Sequence, residues 1–125
     1  MSALAGPRAT LSLRIWGYYL AAIGGILLGA PNTMLGLVGL PPTDEVWIRV
    51  VGMLTWILSY ASFQSARTRN LEYMTWSRNA RFSVPFFLAA FVGLGFVGPA
   101  ILPFGAIDLA GATWTWWAIR ADAAA

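Results

Sequence analysis

Residues 82–119 read FSVPFFLAAFVGLGFVGPAILPFGAIDLAGATWTWWAI and contain one charged side chain, Asp108. As a single helix this stretch would be about 57 Å long, whereas the hydrocarbon core of a bilayer is about 30 Å thick. Gly98 and Pro99 lie near its middle and suit a reversal of the chain. The stretch therefore predicts two antiparallel membrane-spanning helices joined by a tight turn.

Two further apolar stretches precede the polar centre of the chain. One is uncharged from Ile15 to Thr43 and is broken at Pro31, and the other is uncharged from Val50 to Ala66. Each is close to the length of about 20 residues that a span requires. The four stretches predict an all-α integral membrane four-helix bundle that forms one domain over the whole chain. The predicted spans are about 12–30, 44–67, 81–98 and 103–120.

The segments between the spans predict the orientation. Residues 31–42 are too short to cross a bilayer, so we predict a short interfacial segment there, followed by Thr43 as the cap of helix two. Seven of the eight arginines fall on one side of the bundle and only Arg49 on the other. The positive-inside rule then places both chain ends and the polar segment 67–81, interpreted as a loop, in the cytoplasm. We therefore predict a multi-pass membrane protein with both ends in the cytoplasm. A cleaved signal peptide is the alternative for the first apolar stretch.

Composition excludes several chemistries. Hydrophobic residues make up 58% of the chain and charged residues 10%, against about 25% charged in soluble domains. The sequence contains no cysteine, histidine or lysine, which excludes thiol chemistry, Ser-His-Asp triads and Schiff bases. We predict no catalytic residue and no metal site. The arginines flank apolar segments and form no patch of their own, so no nucleic-acid partner is expected.

Small residues recur on one face of each of the first two helices. In a bilayer such faces allow the close approach of another helix. We predict that they pack the bundle itself, and the alternative is a contact with another subunit. The stripe is Gly17, Ala21, Gly25 and Gly29 in helix one, with Gly52 and Ser59 in helix two.

Two charges fall inside the predicted membrane region. Arg49 and Asp108 each lie about five residues into a helix that starts on the outer side, so we predict that they pair, with Asn32 near enough to join them. The alternatives are a polar anchor for a ligand and an Arg49 side chain that extends to the headgroups. The face of helix two below Arg49 predicts an apolar pocket, formed by Met53, Trp56, Tyr60 and Phe63.

The proline-broken first loop, the Arg-x-x-Gly of residues 49–52 and the basic segment after helix two resemble those of DoxX-like bacterial membrane proteins. Some DoxX-like proteins are subunits of quinone-linked oxidoreductases. The resemblance therefore implies a place in the bacterial cytoplasmic (inner) membrane. It also implies a bound quinone or lipid, or an accessory role beside a larger partner. A second resemblance is to the glutathione-using eicosanoid membrane enzymes, through Arg67, Asn70 and Glu72, with a spacing that departs from that family's pattern.

These observations favour a small non-catalytic accessory or scaffold subunit of a larger membrane complex or homo-oligomer. Its partners would be membrane lipids and other membrane subunits or further copies of the chain. The alternative is a quinone- or lipid-binding protein that uses Arg49, Asp108 and the aromatic face of helix two. No cofactor is predicted beyond such a bound quinone or lipid. A transporter is a third hypothesis, for which four helices leave little room.

Overall fold

Five α-helices account for most of the chain in the computed structural model, which describes residues 4–125. No strand is found among these residues, so the predicted all-α class is confirmed. Four of the helices have 22 or 23 residues, a length of about 33 to 35 Å each. In chain order the helices are α1 (Pro7–Gly29), α2 (Pro31–Leu37), α3 (Trp47–Thr68), α4 (Leu71–Gly93) and α5 (Leu102–Ala124), with a 3₁₀ turn (Pro99–Ile101) directly before α5.

Local sequence explains where several helices begin and end. Pro7 and Pro31 start α1 and α2, at positions where the missing N–H leaves no intrahelical bond unmade. Helix α3 ends where Arg69 takes a left-handed backbone conformation, with φ 53°. Asn70 then caps α4, since its side-chain oxygen accepts a hydrogen bond from the Tyr73 N–H at 3.0 Å. The connection between α3 and α4 is therefore very short.

The prediction of a loop over residues 67–81 is wrong, because most of this segment belongs to α4. The Asn70 cap starts the helix about 10 residues before the predicted span. Pro85 consequently lies inside α4, whereas a helix that began near residue 81 would have it in the first turn. Gly105 of α5 lies against this proline, and a β-carbon at Gly105 would be 3.1 Å from the Pro85 Cα. The absence of a side chain there lets the two helices approach closely.

The segment between α1 and α3 is more ordered than the interfacial segment predicted from the sequence, since its first part forms α2. Thr43 does not cap α3, which begins at Trp47. Instead the Thr43 hydroxyl accepts a hydrogen bond from the Glu45 N–H at 3.1 Å, and the Thr43 N–H donates to the Asn32 Oδ1 at 2.9 Å. Asn32, near the start of the connection between α1 and α3, is therefore hydrogen-bonded to Thr43, near its end.

Helix α1 packs against both α3 and α5, and α4 packs on α5. Helices α3 and α4 have little contact with each other despite their short connection. The N-terminal end, the α3–α4 connection and the end of α5 lie together. The Ala5 N–H donates to the Arg69 carbonyl at 2.9 Å, and Arg8 forms an ion pair with Asp122 at 3.9 Å. Both ends of the described chain therefore lie at the same end of the bundle.

The contact between α1 and α3 depends on glycines. A β-carbon at Gly52 would lie 2.9 Å from the Leu27 Cβ and 3.1 Å from the Gly24 carbonyl oxygen. At Gly17, Ser59 donates to the backbone carbonyl at 2.8 Å. The predicted stripe follows this contact only in part, because the next close glycine is Gly24. At Gly25 a β-carbon would meet only the Trp56 ring, at 3.7 Å or more, and at Gly29 it would meet nothing within 4 Å.

One helix of those in residues 4–125, α1, is long and apolar enough to cross a membrane by its length and composition. It lies near the N-terminus, where a signal sequence has the same properties. The predicted arrangement of four membrane spans stays a prediction.

Candidate functional site

A cavity of about 350 Å³ lies between α3 and α4, where these two helices have little contact. We call it the central cavity, and all four long helices contribute to its wall. The two charged side chains in that wall are Arg81 and Asp108. The rest is largely apolar and includes Trp16 and Leu20 of α1, Leu58 of α3, and Trp76 and Val84 of α4.

Arg81 is the most unusual residue of the bundle, because it is only 5% exposed. Its Nη2 donates to the Thr115 hydroxyl at 2.9 Å, and its guanidinium carbon lies 4.6 Å from the centre of the Trp16 ring. Its Nε donates to the Ser77 carbonyl at 3.4 Å. The remaining nitrogen, Nη1, is buried and has no hydrogen-bond partner within residues 4–125. Since a guanidinium only donates, this nitrogen lacks an acceptor.

A pair of buried hydroxyl groups holds the guanidinium in place. Ser12 and Thr115 are 1% and 0% exposed, and their oxygens are 3.0 Å apart. Ser12 donates its proton to the Ala9 carbonyl at 2.7 Å. Thr115 must therefore donate to Ser12, and its lone pairs remain free to accept the bond from Arg81. This chain of hydrogen bonds connects α1, α4 and α5 at the depth of Arg81.

A second cavity of about 340 Å³ lies beside the first and is lined by residues of α1, α4 and α5. Trp16 and Arg81 line both cavities, and Tyr19 and Gly111 line the second. A β-carbon at Gly111 would lie 3.1 Å from the Trp16 ring and 3.2 Å from the Arg81 Nη1. The glycine therefore leaves the space in which the arginine and the indole stack.

Asp108 lies in the wall of the central cavity and is partly buried. Its carboxylate forms no hydrogen bond to any group in residues 4–125. The one ion pair within 4.0 Å in this part of the chain is that of Arg8 with Asp122. Arg81 and Asp108 thus share a cavity without direct contact, and each has hydrogen-bonding capacity left over.

The structure does not form the predicted pair of Arg49 and Asp108. Arg49 donates to the Leu28 carbonyl and lines a separate polar pocket that also includes Asn32. Because α3 begins only at Trp47, Arg49 lies in its first turn, beside the connection from α1. In addition, α3 packs on α1 and has no extensive contact with α5. The two charges therefore lie in different parts of the bundle.

The aromatic face of helix two does not line the central cavity. Trp56 donates from its indole nitrogen to the Ala21 carbonyl at 2.9 Å, and Phe63 lies against Tyr18 with ring centres 5.0 Å apart. Met53 and Tyr60 are exposed on the outside of α3. These side chains cover the α1–α3 contact or face outward, so the predicted pocket below Arg49 is not formed by them.

Arg81 is not among the predicted site residues, because a helix that begins near residue 81 places it with the cytoplasmic arginines. The misplaced start of α4 explains this, because Arg81 would otherwise lie at a helix end. One signal was present in the sequence. Ser77, Arg81 and Val84 follow one another at the spacing of a single helix face, directly before a long apolar stretch. An arginine on such a face is a candidate for an inward position.

Comparison with protein-family models, with curated proteins and with solved structures found no match for this chain. The resemblance to DoxX-like proteins therefore stays a prediction. The residues of the second resemblance have local partners, since Arg67 donates to the Gln64 side chain at 2.8 and 2.9 Å and Asn70 caps α4. The functional argument accordingly depends on the geometry around Arg81 and Asp108.

Proposed function

We propose that this chain is a multi-pass protein of the bacterial cytoplasmic membrane that binds a small apolar molecule with a polar head group, such as a quinone or a lipid, in the central cavity. The observation that carries the proposal is the presence of two charged side chains, the buried Arg81 and the partly buried Asp108, in the wall of an otherwise largely apolar cavity. Ligand pockets typically combine an apolar wall with a few polar groups of this kind.

The distribution of side chains supports the membrane part of the proposal. Large apolar residues point outward along the helices, including Phe86 at 77% and Phe87 at 60% exposure on α4, and Ile57 and Leu54 on α3. Buried polar residues lie inside, between the helices. Water disfavours an outer surface of this kind, whereas lipid favours it. Helices of about 33 to 35 Å also match a hydrocarbon core of about 30 Å.

The lateral position of the cavity supports the binding part. The cavity is lined by α3 and α4, two helices with little contact, and a gap between them would let a molecule dissolved in lipid enter without crossing water. Inside a bilayer, an arginine without a full set of partners is costly, with insertion scales giving about 2.5 to 3.5 kcal/mol near the centre. A polar head group in the same cavity as Arg81 and Asp108 would remove part of that cost.

Single introduced cysteines test the membrane arrangement, because the natural sequence contains none. Thr68→Cys lies at the α3–α4 end of the bundle and Glu45→Cys near the opposite end. In intact cells a membrane-impermeant thiol reagent should label Glu45→Cys and leave Thr68→Cys unlabelled until the membrane is opened. Labelling of both positions in intact cells, or release of the protein by carbonate washing, would contradict the proposal.

Co-purification tests the binding part. The protein is extracted from native membranes in mild detergent, and bound small molecules are identified by mass spectrometry. We expect one apolar molecule in stoichiometric amount, lost in Arg81→Gln and retained in Arg78→Gln. Arg78 is the matched control, because it lies one turn earlier on α4 and bonds only to the neighbouring Asn79. Equal retention in both variants would overturn the assignment to Arg81.

The second candidate function is the accessory or scaffold role. It is favoured by glycines that face open space, since a β-carbon at Gly29 or Gly93 would meet nothing within 4 Å. Such positions allow a helix of another subunit to approach closely. In the same co-purification, a larger protein in stoichiometric amount without a bound small molecule would favour this role.

A further inference from the structure

We propose that the polar pocket around Arg49 binds a phosphoethanolamine group, carried by a phospholipid whose acyl chains lie along the outside of the bundle. The pocket has a volume of about 350 Å³ and lies where α1 ends and where α2 and α3 begin. Small-molecule sites typically occupy about 300 to 1,000 Å³. This inference rests on the membrane arrangement of the proposed function and is independent of the central cavity. The polar side chains of the pocket are Asn32, Thr33, Thr43, Asp44, Glu45 and Arg49.

The pocket lies at the depth of the lipid head groups in that arrangement. Helices α1 and α3 are about 33 to 35 Å long, slightly more than a hydrocarbon core of about 30 Å, so their ends project into the head-group layer. The pocket includes Gly29 at the end of α1 and Arg49 in the first turn of α3. Trp47, the first residue of α3, is 69% exposed, and tryptophan is enriched at this boundary. A lipid head group therefore lies at the level of the pocket.

Arg49 and Asn32 supply the donors for a phosphate group. The Arg49 Nη1 donates to the Leu28 carbonyl, whereas its Nε and Nη2 form no bond to any group in residues 4–125. The Asn32 Oδ1 accepts from the Thr43 N–H, which leaves the amide nitrogen of Asn32 as a donor. Both residues are exposed at the pocket, so it is open to a ligand from the surface.

Asp44 and Glu45 supply the acceptors for an ammonium group. Both residues are exposed and line the same pocket as Arg49. Neither forms an ion pair with this arginine within 4.0 Å. Opposite charges that share a pocket without contact suit a ligand that carries both charges. Phosphoethanolamine does so, and its ammonium group offers three N–H donors, as that of a lysine does.

The two threonine hydroxyls of the pocket do not decide the ligand. The Thr43 oxygen already accepts from the Glu45 N–H at 3.1 Å, and a hydroxyl can both donate and accept. The hydroxyls of Thr43 and Thr33 can therefore bond to the phosphate or to the ammonium group. The choice of ligand depends on the charges, which are one arginine and two carboxylates.

This arrangement separates three phospholipid head groups. Phosphoethanolamine bonds to the arginine through its phosphate and to the carboxylates through its ammonium group. Phosphocholine has the same phosphate, but its quaternary ammonium has no N–H and cannot donate to Asp44 or Glu45. Phosphoglycerol has no positive charge, and two carboxylates beside one arginine disfavour an anion.

Three lipids with the same dioleoyl chains test the proposal, namely phosphatidylethanolamine, phosphatidylcholine and phosphatidylglycerol. The purified protein is equilibrated in micelles with pairs of lipids at equal mole fraction, and the bound lipids are counted by native mass spectrometry. We expect phosphatidylethanolamine to exceed each of the other two by about fivefold, as one additional hydrogen bond between charged groups at an exposed site would produce. Equimolar glycerophosphoethanolamine, the same head group without acyl chains, should not displace the lipid, and displacement would overturn the assignment to a lipid.

Variants assign the preference to the pocket. Arg49→Gln should lower the retention of all three lipids, whereas Arg67→Gln, at the other end of α3, should bind as the natural protein does. The double variant Asp44→Asn with Glu45→Gln should abolish the preference of phosphatidylethanolamine over phosphatidylcholine and increase the share of phosphatidylglycerol. Glu72→Gln, on the exposed start of α4, is its control and should change neither ratio.

The ranking of the lipids on the natural protein decides the question even if a variant does not fold. Equal retention of the three lipids, or a preference for phosphatidylcholine or phosphatidylglycerol, overturns the inference. Such a result leaves the proposed function standing, because thiol labelling tests the membrane arrangement separately and the central cavity holds other residues. Arg81→Gln, in the central cavity, should leave the lipid ratios unchanged, and a change would contradict the assignment to the pocket around Arg49.

Discussion

Substituting two adjacent glycines of α1 should have opposite consequences for stability. Gly24 and Gly25 are neighbours in sequence, but only Gly24 lies in the contact with α3. A β-carbon at Gly24 would meet the Trp56 ring, the Gly52 carbonyl oxygen at 3.0 Å and the Trp56 backbone nitrogen at 3.1 Å. At Gly25 its nearest neighbour would be the Trp56 indole nitrogen at 3.7 Å, an ordinary contact.

The expected magnitudes follow from these distances. Overpacking a close contact costs about 1 to 3 kcal/mol, and replacing glycine by alanine within a helix recovers up to about 1 kcal/mol. Because backbone atoms cannot move aside as a side chain can, Gly24→Ala should lower the free energy of unfolding by about 1 to 2 kcal/mol. Gly25→Ala should leave it unchanged or raise it by up to about 1 kcal/mol.

Reversible unfolding in mixed micelles with increasing SDS, followed by circular dichroism, measures both variants under the same conditions. The comparison is direct, since the two substitutions add the same methyl group to adjacent positions of one helix. A loss in Gly25→Ala as large as that in Gly24→Ala would refute the register of α1 against α3. It would instead favour the stripe that includes Gly25 and Gly29.

Three further predictions concern the polar groups. Thr115→Val should lower the free energy of unfolding by about 1 to 3 kcal/mol in the same assay, because Arg81 and Ser12 each lose a hydrogen-bond partner. Thr113→Val is the control and should change this free energy by no more than about 0.5 kcal/mol, because the Thr113 hydroxyl bonds only to the Leu109 carbonyl. Asp122→Ala should lower the free energy of unfolding by about 1 kcal/mol and speed amide exchange at Ala9, because the Ala9 N–H donates to the Asp122 carboxylate at 2.9 Å. Unchanged exchange at Ala9 would contradict the role of Asp122 as a cap of α1. The losses in the free energy of unfolding caused by Arg49→Ala and by Asp108→Ala should add in the double variant to within about 0.5 kcal/mol, because the two side chains form no pair. A larger deviation from additivity would indicate that the two residues interact after all.

The helical class and the approximate position of each long helix could be predicted from hydropathy, because apolar stretches separated by proline and glycine leave few alternatives. The start of α4 could not. The polar residues around Asn70 are typical of a loop by composition, yet the same residue types cap a helix when the backbone turns at Arg69. Composition cannot distinguish these outcomes, since the capping bond depends on a left-handed conformation at a residue other than glycine.

The candidate site was predicted only in part, for a related reason. Asp108 is recognisable in the sequence as a charge in an apolar stretch, but depth along the predicted helices indicates Arg49 as its neighbour, whereas Arg81 is the charged residue that lines the same cavity. A shift of about 10 residues in α4 moves Arg81 from a helix end into the bundle, and a shift of a few residues in α3 moves Arg49 to the first turn. The sequence also does not show which helices are in contact. In the structure α1 packs against both α3 and α5. Pairing of distant charges depends on both quantities.

The placement of Arg81 argues for a binding role over a purely structural one. A structural ion pair reduces the cost of burying two charges most when the guanidinium and the carboxylate are in direct contact. In this bundle Arg81 is held by Thr115, Ser77 and Trp16, while Asp108 lies in the same cavity beyond 4.0 Å and without a bond. The arrangement keeps the two charges apart and leaves the Asp108 carboxylate, in the cavity wall, without a hydrogen-bond donor from residues 4–125. Such a separation leaves the carboxylate available to a donor group of a bound molecule, as the proposed binding role requires.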